Sequence, residues 1–292
     1  MLGLVKGKIG DVVGYRVTNS NDKQKQGWRP YRAHISNPRS LLQANRRMII
    51  GNMTRFYGRF QEVIRRGFED IAYGGKSYQR FLKLNMNLVP EGPFVEKNYI
   101  TPVPGPYKVS EGTLGSLGMK WNGTTDNFES NIPNIASQTG SSITVAALTA
   151  LLLAADSRLQ DGDQLTYLVA FEYEGGAFEY RAASIVLDST DSTTTIPVTS
   201  RGELNIGQGI LVLTDSHMGV TSDAGLEDET AVACALVLSR DGVTEHLRSS
   251  ETLAVNTAYT HLAPFYTPAA KQRALESYMS PDGDIDWPTQ AE

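Results

Sequence analysis

Four histidines, His34, His217, His246 and His261, are the residues of this 292-residue chain best suited to acid–base or metal chemistry, and no two of them stand at a metal-ligand spacing such as H-x-x-x-H. A zinc enzyme is therefore not expected. Asp215-Ser216-His217 contains the residue types of a catalytic triad, but neighbours at a strand end cannot converge as nucleophile, base and orienter. No G-x-S-x-G elbow accompanies them, and the run reads as a turn. Asp282, Asp284 and Asp286 alternate as the first oxygen ligands of a calcium loop do, yet the later glycine and closing glutamate are missing, which predicts a solvated acidic tail. Asp161-Gly162-Asp163 reads as a turn leading into a strand. The single cysteine, Cys234, permits no internal disulfide and no multi-cysteine zinc site, and its apolar neighbours predict a buried, inert thiol. Gly3, Gly7, Gly10 and Gly14 lack the Gly-Lys-Ser/Thr ending of a phosphate loop and read as turn or close-contact positions. The residues thus point to a protein without catalytic groups, metal or cofactor.

Charge is more informative. The chain carries 27 Lys or Arg against 32 Asp or Glu, a net of −5, but residues 1–85 hold 17 basic and 5 acidic side chains while the remainder is strongly acidic. Such asymmetry suits contact of the basic part with nucleic acid or acidic protein, or stacking of one copy's basic end on the next copy's acidic body. The strongest helical signal lies in the basic part. Asn37 is a good N-cap, Pro38 suits the first helical position, and apolar residues recur at helical spacing to Phe68, which predicts one long helix. Ile49, Met53, Phe56 and Phe60 fall on its apolar face, the expected packing or assembly face. Arg47, Arg55, Arg59, Arg65 and Arg66 fall on the opposite face as candidate partner- or phosphate-binding residues, partly offset by Glu62 and Glu69. Gly51 and Gly58 are positions where another backbone could approach closely.

The remaining elements give an α+β organisation. Residues 1–36 are expected to form a β-hairpin arm, with strands Val12–Val17 and Gly27–Ile35, followed by a helical assembly segment over 37–88 that includes a second short helix from Tyr78 to Met86. Five prolines make 89–113 an extended connector. Short β-type runs separated by turn formers then predict an antiparallel, Ig-like β-sandwich over 114–265, with one inserted helix in Thr144–Leu159. A C-terminal helix and acidic tail occupy 266–292. No apolar run reaches the ~18 residues of a membrane span, and the first residues show no signal-peptide pattern.

The residues also carry a resemblance. Gly7-Lys8-Ile9-Gly10-Asp11-Val12-Val13-Gly14-Tyr15-Arg16, then Asn37-Pro38-Arg39-Ser40 with Gln43, Arg46 and Arg47, resembles uncharacterised proteins of phages and prophages of Bacteroidota. Pro106-Tyr107, Val109-Ser110, Gly162-Asp163-Gln164-Leu165-Thr166, Leu238-Ser239-Arg240 and Ala274-Leu275-Glu276-Ser277-Tyr278 follow the same pattern in the same order. Ser40 stands where that pattern has Thr, and the Asn19–Lys23 loop is expanded. The resemblance implies a non-enzymatic virion protein, made in the bacterial host cytoplasm, with a basic helical N-terminal part and a β-sandwich body. Its expected partners are further copies of itself and other virion proteins, with packaged DNA as a further partner of the basic helix. Two other classes fit the residues alone: a nucleic-acid-binding protein using the basic region, and a surface- or carbohydrate-binding adhesin for which Trp121 and Tyr173 are the aromatic hints.

Overall fold

The β-branched and aromatic residues near the N-terminus pair as β2 (Val12–Thr18) and β3 (Gln24–Pro30), antiparallel from Val12↔Pro30 to Thr18↔Gln24. The hairpin is where the sequence places it, with its second strand beginning three residues earlier. A strand that the sequence does not announce, β1 (Gly7–Ile9), adds to the free side of β2 and sets Gly7 opposite Gly14. The computed structural model describes residues 7–9, 12–18, 24–30, 40–69, 71, 75–87, 91–133, 135–173, 176–222, 229–242 and 246–279. His34, the Asn37-Pro38 helix start and the Asp282–Asp286 tail lie outside them. The chain divides into two compact units, residues 1–40 and residues 41–292.

The second unit begins with α1 (Leu41–Arg59), α2 (Gln61–Ile64) and α3 (Gly75–Asn85). The expected single helix to Phe68 is therefore interrupted. Phe60 leaves helical geometry at φ −109° and ψ 23° while keeping its ring buried, and Phe68 forms a parallel bridge with Glu111. The redirected chain passes so close to its neighbour that a Cβ on Gly67 would lie 2.7 Å from the Val109 carbonyl oxygen. Gly67, rather than Gly58, admits another backbone; a Cβ on Gly58 would meet nothing within 4 Å, and one on Gly51 would meet the Tyr278 hydroxyl.

Past residue 113 come β4 (Lys120–Asn122), β5 (Asn127–Glu129), β6 (Ser142–Thr144), α4 (Val145–Ala155), β7 (Gln164–Tyr173) and β8 (Ala177–Val186). They are followed by β9 (Thr195–Pro197), β10 (Leu204–Asn205), β11 (Leu211–Val212), β12 (Gly219–Thr221), β13 (Thr230–Asp241), β14 (His246–Arg248), β15 (Ala254–Val255) and α5 (Pro268–Met279). Within Thr144–Leu159 the helix is α4, whose N-cap Thr144 accepts a hydrogen bond from the Ala147 N–H. The architecture is mixed α+β, with antiparallel pairing between all named strands.

One five-stranded sheet, ordered β14-β13-β7-β8 with β15 also paired to β13, sits at the centre. β7 and β13 are buried over nearly their whole length because both faces are covered. Leu165, Tyr167, Val169 and Phe171 point into one core, shared with α4 and with a second sheet ordered β10-β11-β12-β5-β4. Leu168 and Ala170 point into another, shared with α1, α3 and the segment from Val95 to Val109. A β-bulge between Ala231 and Ala233 shifts the register of β13. The proline-rich stretch is thus packed between helices and sheet, with Val95, Val103, Tyr107 and Val109 buried.

Candidate assembly surface

The apolar residues assigned to the long helix come together in one core. Ile49, Met53, Phe56 and Phe60 are all buried in the core between the helices and the central sheet, so this face is covered by the protein's own fold. Phe56 and Phe60 meet the Tyr180 ring edge-on at 5.8 and 5.4 Å. Full burial of each such ring stabilises by about 1.5–3 kcal/mol, and the Tyr180 contacts fix the α1–α2 corner beside β8.

The arginines do not form one solvent-facing set. Arg55 donates to the Tyr99 and Lys97 carbonyls, so it clamps a loop of the body. Arg65 lies 3.6 Å from Glu62 one turn away. Arg59 and Arg66 are exposed and Arg47 is half-buried; the Arg66 carbonyl accepts from Arg248 Nε. Glu69 turns from the helix to take the Thr113 and Arg248 N–H groups. Of the five, Arg59 and Arg66 best meet the requirements of a surface contact.

The free edge of β8 is the open feature of this surface. β8 pairs with β7 over ten residues without a register shift, and no described strand pairs with its other side. Three clefts line that edge. Gly58–Val63 and Ala182 bound one of about 200 Å³ on the helical side. Glu179, Tyr180, Arg181, Gln208 and Gly209 bound one of about 410 Å³. The third, of about 470 Å³, lies between Ser184–Val186 and the β9 and β10 region and includes Asp188 and Asp191.

Arg181 holds the middle of the edge in place. Its guanidinium donates to both oxygens of the buried Glu229, at 2.6 and 2.9 Å, and also to Glu179, the Tyr173 hydroxyl and the Gln208 carbonyl, while packing 4.9 Å from the Phe171 ring centre. These contacts push the guanidinium pKa further up, chiefly through Glu229. Asp191 is held well below the usual carboxylate range by the Thr194 and Thr193 donors, so the third cleft keeps negative charge over the working pH range.

The residues considered for chemistry are dispersed. Asp215, Ser216 and His217 occupy a bend, and His217 lies 3.9 Å from Glu129. Cys234 is fully buried in β13, and burial pushes its thiol pKa up, leaving a poor nucleophile. One pair was not visible in the sequence: His261 Nδ1 lies 2.6 Å from Oε1 of the buried Glu172, whose other oxygen accepts from Tyr259 at 2.8 Å. A separation of 89 positions hides this pair from any spacing argument. Among the described residues no group of three His, Cys, Asp or Glu could hold a metal ion, and no helix is long and apolar enough to cross a membrane. No protein-family model, curated protein or solved structure matches the chain.

Proposed function

We propose that this chain is a non-enzymatic structural protein of a phage particle, assembling in multiple copies through its basic N-terminal region. One observation carries the reading: the two compact units carry opposite net charge. Residues 1–40 hold eight Lys or Arg and two Asp or Glu, a net of +6; residues 41–292 hold 19 and 30, a net of −11. A basic three-stranded arm and an acidic body on one chain are complementary between copies, and their attraction is long-ranged at low salt. In this reading the two five-stranded sheets are an Ig-like sandwich presented outward, and Arg59 and Arg66 add to the contact with acidic protein or packaged genome. The protein is made in the host cytoplasm and ends in the virion. The resemblance to phage and prophage proteins of Bacteroidota supplies the particle.

Quantitative mass spectrometry of purified particles from an induced lysogen carrying this gene tests the reading. Many copies per particle, retained after nuclease and salt washing, are expected. Absence from washed particles would reject it.

A further inference from the structure

We propose that the free edge of β8 is the docking site for the arm of a second copy, with strand β3 of that copy adding to the sheet β14-β13-β7-β8. This rests on the assembly reading above and names the surface that it uses.

An edge strand presents unpaired N–H and C=O groups at every second residue, a template for another strand unless the edge is short, bulged, proline-broken or covered. The described strands at the other sheet edges of the body are short: β14 and β4 have three residues each and β10 has two. β8 has ten, contains no proline and keeps an unbroken register with β7. Its surroundings leave room for side chains as well. An added strand would direct alternate residues to opposite faces of the sheet. One face has the 200 Å³ cleft at the α1–α2 corner and the other has the 410 Å³ cleft at Gln208–Gly209.

Charge and symmetry select the occupant. The acids beside the edge are Glu179, Asp188 and Asp191 on the side of the second sheet and Glu62 on the helical side; the cations are Arg59 and Arg181, with Arg181 committed to Glu179 and Glu229 and Glu62 to Arg65, so Asp188 and Asp191 are the acids that carry the local negative charge. β3 supplies seven residues with Lys25, Arg29 and no acid, its outer side is unpaired among the described residues, and its Trp28 is 50% exposed. Pairing of two β8 edges would be self-complementary and stop at a dimer. Arm-to-edge pairing is head-to-tail, and it continues into a ring or filament of many copies.

Hydrogen–deuterium exchange of the full-length protein, followed from dilute to concentrated solution alongside its mass, tests the proposal. Amides in 177–186 and in 24–30 should slow together, by about tenfold or more, as the mass rises above one chain. Val186→Lys, at a half-exposed position on the edge, should weaken association about tenfold with thermal stability kept. Oligomers whose β8 amides exchange as in the monomer would overturn the edge and leave the assembly reading intact. Protection of β8 without 24–30 would mean pairing of two edges, and protection already complete in the monomer would mean that the chain's own arm is bound; either overturns the proposal. A monomer at every concentration would overturn both the proposal and the reading that it rests on.

Discussion

Asn52 and Val103 exchange two hydrogen bonds: Val103 N–H donates to Asn52 Oδ1 at 2.9 Å, and Asn52 Nδ2 donates to the Val103 carbonyl at 2.8 Å. A side chain inside α1 thereby does for the proline-rich segment what a neighbouring strand would do. Asn85 of α3 repeats the arrangement on Lys108, at 2.7 and 3.0 Å. The two asparagines hold the 103–108 segment between helices and sheet with its backbone groups satisfied.

Asn52→Ala would leave the buried Val103 N–H and carbonyl unpaired, at about 1–3 kcal/mol for each group. Urea unfolding of the variant should show a loss of roughly 2–6 kcal/mol. A loss under about 1 kcal/mol would mean that water or another donor replaces the asparagine.

Two glycines in the helical region should respond with opposite signs. Gly67→Ala forces a methyl group against the Val109 carbonyl and should cost about 1–3 kcal/mol. Gly58→Ala meets open space in α1 and should gain up to about 1 kcal/mol from helix propensity. Thermal melts of the two variants check the pair.

Asp156 gives a pH-dependent prediction. Its carboxyl is buried, and the Arg158 guanidinium, reaching both oxygens, holds its pKa below the ordinary 3.8 against the opposing effect of burial. Because the folded-state value is depressed, the stabilisation is present above pH 3.8 and disappears as pH falls through the folded value. Asp156→Asn should therefore be less stable than the parent by about 2 kcal/mol at neutral pH. In melts taken from pH 7 downward, the gap should shrink below pH 3.8.

Arg55 and Arg59 separate folding from assembly. Arg55→Glu removes two donors from the Tyr99 and Lys97 carbonyls and should lower the melting temperature. Arg59→Glu, at an exposed position, should stay within about 0.5 kcal/mol of the parent and act on association instead. Equal melting shifts for the two would contradict this division.

Much of this architecture was legible where a local pattern had one meaning. β7 and β13 fall among the short β-type runs expected over 114–265, and their nearly continuous apolar sequences match strands with both faces covered. Asn52 and Asn85 carried no such signal, since a polar residue at helical spacing looks the same whether solvated or paired to a distant carbonyl. Arg55 read as a surface cation for the same reason. The break at Phe60 escaped because Phe60 keeps its place in the apolar pattern while its backbone leaves the helix. The open edge of β8 depends on which strands end up adjacent, a tertiary outcome with no local signature.

Self-assembly through the basic N-terminal region is tested by light scattering on the full-length protein at low and high salt, with Lys25→Glu/Arg29→Glu measured beside it. A mass of many chains that falls with salt, and a charge-reversed variant that stays folded and small, is the predicted result. A salt-indifferent monomer for both proteins would contradict it.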